Sequence, residues 1–243
     1  MIKFNNIALG IVCPIANEKD TVTKFVPAVL EQCKGFKKLF FFAILDNKCT
    51  DGTFGLINTL EQRIPEVKVI WAPRNRSIVD AYIRGYREAL IAGCDWILEI
   101  DAGFSHCPSE IPLFTQTMAR GYDCIFGSRF CKGGTFAGAS FKRFLISKGG
   151  TIVTNLFLGT KLKDMTSGFE LFSRSSLQMV LEKGIHSVDH FFQTEIKVYC
   201  RKLNIREIPI TYSNPSNSVN SSVVKDALAN LWRLYKLRLQ GRL

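Results

Sequence analysis

Ile97-Leu98-Glu99-Ile100 runs directly into Asp101-Ala102-Gly103-Phe104-Ser105-His106-Cys107-Pro108. The apolar run predicts a strand, and the polar and glycine-containing residues after it predict a turn. The strand therefore stops on a carboxylate at its carboxyl end, the edge at which open α/β sheets hold their ligands. A carboxylate there can hold a divalent cation against a diphosphate, because hard cations take oxygen ligands and share them with substrate phosphates. An Asp at a strand end is also an ordinary turn former, so the reading depends on what else gathers at that edge.

Outward from Asp101, strand-like runs near 7–13, 38–45, 67–71 and 95–100 alternate with helical patterns near 20–33, 52–62 and 78–92. This alternation predicts βαβ units and an α/β fold with a mainly parallel sheet flanked by helices. A helix is expected after Pro108-Ser109-Glu110, then a strand near 123–127 that ends in Gly127-Ser128-Arg129. The glycine-rich stretch 132–138 suits a mobile loop over a site. A helix over 141–158, strands at 168–173 and 205–212, and helices between them complete the pattern. The last helix, about 222–240, carries Val224, Leu228, Leu231, Trp232, Tyr235 and Leu239 at helical spacing, with Lys225, Arg233, Lys236 and Arg238 around them. Such a segment can lie on an anionic membrane surface or pack its stripe against the sheet. The expected organisation is a main domain over 1–220 and this basic amphipathic helix over 221–243, either part of that domain or a membrane-surface element.

Composition narrows the classes. The chain has 243 residues, 47% hydrophobic and 22% charged, which suits one core-forming domain, and no apolar run suggests a spanning helix. No secretory signal is apparent at the amino terminus, so a cytoplasmic protein is expected. Eight scattered cysteines without a C-x-x-C pair point to reduced thiols. A formal charge of +11 favours an anionic partner, and the absence of common nucleic-acid motifs disfavours nucleic acid.

Polar groups follow one strand end after another: Pro14, Asn17 and Glu18, then Asp46 and Asp51, then Arg74, Asp101 and Arg129. Carboxylates at such an edge can take ribose hydroxyls and a metal, while Arg74 and Arg129 can fork onto phosphate oxygens. These are the needs of a nucleotide-diphosphate substrate. Neither a P-loop nor a G-x-G-x-x-G fingerprint is present, which disfavours P-loop nucleotidases and dinucleotide dehydrogenases.

In these residues the chain resembles the family 2, GT-A fold glycosyltransferases, and among them the dolichyl- and polyprenyl-phosphate mannosyltransferases. Pro14-x-x-Asn17-Glu18 matches P-x-Y-N-E, and Asp46 with Asp51-Gly52-Thr53 matches D-D-G-S-x-D-G-T. Asp101-Ala102-Gly103 through Pro108 matches D-A-D-L-S-H-H-P. Gly127-Ser128-Arg129, Lys142-Arg143, Ser147-Lys148-Gly149, Asp164 through Phe172, Phe191 through Glu195 and Glu207 through Ile210 continue the series. The resemblance implies a Rossmann-like, nucleotide-sugar-binding GT-A sheet. It assigns donor binding to Pro14, Asn17, Glu18, Asp46, Arg74, Asp101, Ala102 and Gly103, a Mg2+ or Mn2+ ion to Asp101, and catalysis to Asp101, Arg129, Asp164 and Glu195.

Two departures bear on mechanism. The motif's second metal-binding Asp is Gly103 here, which predicts a weakened or atypical metal site that Glu99, water or another group completes. Where the family carries a basic D-R-x-x-G-x-S-K segment, residues 213–222 are Ser, Asn, Pro and Val. The expected reaction is an inverting transfer of a hexose, from GDP-mannose or UDP-glucose, onto polyprenyl phosphate at the cytosolic face of a membrane. Contact with the bilayer would be peripheral, or through a small anchoring subunit. A lipid phosphate is already anionic and needs no general base, whereas a hydroxyl acceptor on a glycan or lipid-linked saccharide would need one, for which Asp164 and Glu195 are the candidates. A catalytically inert nucleotide-sugar-binding subunit is the third reading.

Overall fold

The computed structural model describes residues 4–138, 140–213 and 221–243. Through the first half the expected alternation is realised as β1 (Phe4–Pro14), α1 (Val22–Gln32), β2 (Phe36–Leu45), α2 (Thr53–Arg63), β3 (Val67–Trp71), α3 (Ile78–Ile91) and β4 (Trp96–Glu99). A 3-10 turn at Pro108–Glu110 leads into α4 (Ile111–Met118) and β5 (Cys124–Ser128). The second half contains β6 (Thr135–Phe136), α5 (Phe141–Leu158), β7 (Glu170–Ser173), α6 (Arg174–Lys183), α7 (Phe191–Cys200), β8 (Ile205–Pro209), β9 (Thr211–Tyr212) and α8 (Ser221–Leu239).

Seven strands form one sheet in the order β3-β2-β1-β4-β7-β5-β8, in which β7 alone runs antiparallel to its neighbours. The chain moves outward from β1 to β2 and β3, then returns to place β4 on the other side of β1. This reversal opens a crevice between the carboxyl ends of β1 and β4, where a doubly wound sheet binds ligands. Residues alternate across the sheet: Leu9, Ile11 and Cys13 join α1 and α4 in one core, while Val12 joins α3, α6 and α7 in the other. Burial on both faces explains the near-continuous apolar runs. A Cβ at Gly10 would stand 2.9 Å from Cys94 Sγ, and one at Gly85 would strike Val12, so two glycines let α3 sit tightly on β1. That seat carries Tyr82 to the crevice.

Two expectations are corrected. The predicted strand over 205–212 is two strands in different sheets: β8 follows β5 as far as Pro209, and the chain then pairs through β9 with β6. The glycine-rich stretch 132–138 is not wholly a loop, since β6 pairs in parallel with β9. Thr135 N donates to Ile210 O and Ala137 N to Tyr212 O, both at 2.9 Å.

The last helix packs on α5 and α7 with Leu234 buried, while Leu228, Trp232 and Leu239 remain exposed. Its Arg238 donates to Phe157 O at 2.7 Å, closing the carboxyl end of α5. The expected domain boundary at residue 220 and most of the departing 213–222 segment lie outside the described residues.

Candidate active site

The turn after β1 and the turn after β2 are sewn together by Asn17, whose Oδ1 accepts from Thr50 N at 2.9 Å and whose Nδ2 donates to Lys48 O at 3.0 Å. Asn17 takes a left-handed backbone, φ 58°, which Asn tolerates better than most residues. Asp46 Oδ1 accepts from Lys48 N at 2.9 Å, an Asx-type turn that shapes the next loop. Pro14, Ala16, Glu18, Asp46, Asp101 and Ala102 line one cavity of about 260 Å³ that gathers three carboxylates, with Lys48 as a cation that the sequence reading passed over. Arg74 stays exposed on the loop after β3 and does not line that cavity.

Asp101 stands where β4 ends. Tyr82, on α3, donates to its Oδ1 at 2.5 Å, and buried His106 accepts from its backbone N–H through Nδ1 at 3.4 Å. Burial pulls the His106 imidazole down to about 4, against the opposing charge of Asp101, so the ring is neutral at physiological pH. Its ring stacks on Phe169 with centroids 5.0 Å apart. The following Gly103 and Phe104 both have left-handed φ angles, 80° and 62°, which turn the chain sharply under the Asp101 side chain. Phe104 is held there by an edge contact with Phe25 at 5.2 Å.

The donor chemistry fits a hard cation. A Cβ built on Gly103 would lie 2.6 Å from Glu18 Oε1, so a carboxylate fills the space that a side chain at 103 would occupy. Among the described residues no three His, Cys, Asp or Glu side chains converge into a complete metal cage. Mg2+ bound by one or two carboxylates, with water and substrate phosphate as the remaining ligands, requires no such cage. Asp101 would hold the ion, which would supply positive charge beside a diphosphate.

Arg129 and Asp164 form a buried fork: Nε reaches Oδ2 at 2.7 Å and Nη2 reaches Oδ1 at 2.8 Å. Nη2 also donates to Thr166 Oγ1 at 2.5 Å, and the guanidinium lies over the Phe136 ring at 4.6 Å. Burial pushes the Asp164 carboxyl up, but the hydrogen bonds and charge of Arg129 outweigh it and bring it down to about 2. So weak a base, with both oxygens engaged, is poorly suited to abstract a proton. The geometry gives Asp164 the task of orienting Arg129, whose guanidinium edge still lines the groove described below.

Glu195 is buried rather than solvated and does not line the cavity at Asp101. Its oxygens accept from Ser187 N at 2.9 Å, Tyr199 Oη at 2.8 Å and Arg233 of α8, fastening the 186–187 turn and the last helix to α7. Glu99 shares a strand face with Asp101, as the i, i+2 spacing requires, since Tyr82 and Tyr86 of α3 meet the two carboxyls. It is fully buried, bonded to Tyr86 Oη and Gln193 Nε2, and so is not presented to a metal.

Glu99 pairs across the sheet with Glu170, and Lys197 Nζ lies 2.7 Å from Glu170 Oε1, all three being fully buried. One ammonium cannot balance two buried carboxylates. Burial first, and the charge of Glu170 second, push the Glu99 carboxyl well above the ordinary range, so it carries the proton. A carboxyl raised on folding contributes stability that is full below its unfolded value and is lost as pH rises toward its folded one. Glu99→Gln keeps the neutral hydrogen-bonding shape and removes that decline. The variant is expected to melt at or above the parent at pH 7, with a flatter melting temperature between pH 5 and 8; a fall of many degrees would show that Glu99 is ionised.

A second cavity, about 410 Å³ and largely apolar, runs between α5, α7 and α8. Ile146, Val153, Phe191, Leu228 and Leu231 line it, and its inner end is Tyr82, Asp101, Arg129 and Arg143. Arg143 Nη1 is buried without a hydrogen-bond partner among the described residues. The carboxylate-lined cavity and the apolar groove share Ile78, Tyr82 and Asp101, so a group in one meets a group in the other at Asp101. Tyr82 and this groove were missed from sequence. Their only trace there is the i, i+4 tyrosine pair and the apolar residues of two helices far apart in the chain.

A mostly parallel sheet with its carboxylate at the switch point is the architecture of the GT-A glycosyltransferases. The sequence profile described as Glycosyl transferase family 2 matches residues 10–181, and the chain belongs to that family and is a glycosyltransferase. It is 24% identical over 236 residues to a polyprenol monophosphomannose synthase of Mycolicibacterium smegmatis, covering 96% of this chain and 88% of that one. It is 28% identical over 195 residues to an undecaprenyl-phosphate mannosyltransferase of Micrococcus luteus, covering 78% and 80%. A dolichol-phosphate mannosyltransferase of Pyrococcus furiosus is 25% identical over 233 residues, 94% of this chain and 64% of its own. Among solved structures, glucosyl-3-phosphoglycerate synthase of Mycobacterium tuberculosis bound to UDP superposes with a TM-score of 0.70 at 13% identity, covering 95% of this chain and 81% of that one. The same enzyme with Mn2+, UDP-glucose and phosphoglyceric acid gives 0.68 at 13% identity, covering 95% and 80%.

Proposed function

We propose that this chain transfers mannose from GDP-mannose to a polyprenyl phosphate, at the cytosolic face of a membrane, by a single inverting displacement. The observation that carries the reading is the apolar groove that includes Asp101, Arg129 and Arg143 in its lining, with Arg143 Nη1 buried and unpaired among the described residues. An isoprenoid chain suits the groove walls, and a phosphate suits the two guanidinium groups at the end. The nucleotide diphosphate would lie in the cavity lined by Glu18, Asp46 and Lys48 on the other side of Asp101. A phosphate oxygen would then attack the anomeric carbon as the bond from that carbon to the departing diphosphate breaks. The second pKa of a phosphate monoester is about 6, so the nucleophile is anionic without a base. The engagement of Asp164 by Arg129 and of Glu195 by α8 supports this acceptor over a hydroxyl. The names of the mannosyltransferase relatives support polyprenyl phosphate and mannose.

Access from a bilayer has structural support as well. Phe141 and Leu156 of α5 are each 75% exposed and Leu239 of α8 is 69% exposed, and the two helices flank the groove. Lys142, Lys225 and Lys236 lie on the same helices, a mixture suited to an anionic interface. Among the described residues no helix is long and apolar enough to cross a membrane.

Arg143→Gln tests the acceptor end. Hydrogen bonds to charged groups contribute about 1.5–3 kcal/mol, so kcat/KM for polyprenyl phosphate is expected to fall roughly 10- to 150-fold. The KM for the sugar nucleotide should hold. A rise confined to the donor KM would place Arg143 on the other substrate and contradict the reading.

A further inference from the structure

We infer that Glu18 supplies the second carboxylate of the divalent-cation site, standing in the place that a side chain at position 103 would otherwise take. The inference rests on the donor-site reading above. Glu18 follows β1 and Asp101 follows β4, so they face each other across the switch-point crevice and line the same cavity. A Cβ on Gly103 would be 2.6 Å from Glu18 Oε1 and 2.7 Å from Oε2, closer than real Cβ contacts come. The glycine and the glutamate are therefore complementary: a side chain at 103 and this position of Glu18 exclude each other.

The glutamate is braced for the position. Its backbone N–H donates to Thr53 Oγ1 at 2.8 Å, and that hydroxyl donates onward to Asp51 Oδ1 at 2.6 Å, tying the turn to the start of α2. The Thr21 hydroxyl donates to Oε2, while Oε1 has no hydrogen-bond partner among the described residues. Burial pushes the Cys13 thiol up, and Asp101 and then Glu18 push it further, so both carboxylates bear on one sulfur beneath the crevice. Two carboxylates with remaining positions for phosphate oxygens and water are the ligand set that Mg2+ and Mn2+ accept. Loss of the motif's second Asp at 103 is then compensated from the first strand's turn.

The test is Mn2+ binding to the full chain in the presence of GDP, and separately UDP, followed by the electron paramagnetic resonance signal of free Mn2+. Glu18→Gln is isosteric, and its Mn2+ affinity is expected to fall about ten- to a hundredfold, as is that of Asp101→Asn. Gly103→Ala supplies a second route, because its methyl displaces the Glu18 carboxylate without removing it; the same direction of loss is expected. Circular dichroism identifies any variant that fails to fold; because Gly103 is held at φ 80°, a loss in Gly103→Ala also reflects backbone strain at the Asp101 turn, so the supporting result is the loss in Glu18→Gln. If Asp101→Asn loses Mn2+ while the folded Glu18→Gln or Gly103→Ala protein binds it as the parent does, the assignment of Glu18 is overturned and the donor site stands. If the parent binds the nucleotide but no Mn2+, the assignment is again overturned; if it binds neither nucleotide, the donor-site reading fails with it.

Discussion

Asp101→Asn is expected to lower the rate of sugar transfer roughly 10²- to 10³-fold, the loss that follows removal of one well-placed electrostatic group from a charge-developing centre. The fold should survive, because the asparagine carbonyl can still accept from Tyr82 Oη, now 2.5 Å from Asp101 Oδ1. The Asp101 side chain is 38% exposed, so neutralising it leaves no buried group unpaired. What disappears is the negative charge at the junction of the two cavities, where a cation would meet the departing diphosphate. Steady-state kinetics beside a melting curve separate these effects. A drop of less than about tenfold with an unchanged melting temperature would remove Asp101 from the centre of the mechanism.

Arg129→Met should produce the largest structural effect. It leaves the Asp164 carboxylate buried at 0% exposure without its fork, and breaking such a pair from one side costs about 3–5 kcal/mol. For a chain of this size that corresponds to a fall in melting temperature on the order of 10 °C. Replacing both partners, as in Arg129→Met with Asp164→Leu, should recover much of the loss, because no isolated charge remains. The pair also sets an acid limit. Asp164 is brought down to about 2 on folding, so its contribution is complete above its unfolded value near 4 and is lost as pH falls through about 2. Asp164→Asn should flatten the stability profile over that window. An unaltered acid limb would show that the fork does not control it.

The order of strands and the residues at their carboxyl ends follow from the sequence because each is local: an apolar run, then a polar turn. Glu18, Asp46 and Asp101 could be brought to one crevice from spacing and topology alone. The engagement of each side chain could not. Arg129 is forked onto Asp164 by a 35-residue connection, and Glu195 is turned toward α8, contacts set by tertiary packing that no periodicity encodes. Gly103 reads in sequence as a lost ligand, yet only the fold brings a second carboxylate into its vacant volume. The division of 205–212 after Pro209 depended on a distant partner, since residues 211–212 pair with 135–136 rather than with β5. The apolar groove is still less local, since α5 and α8 begin 80 residues apart.

The central claim is that sugar passes from a nucleotide in one cavity to a lipid phosphate in the other. Labelled GDP-mannose and labelled UDP-glucose, each incubated with the purified chain, Mg2+ and polyprenyl phosphate in anionic vesicles, test it by the label that enters the organic phase. The account predicts lipid-bound label from GDP-mannose that disappears when polyprenyl phosphate is omitted. Nucleotide binding without label in the lipid from either donor would contradict it.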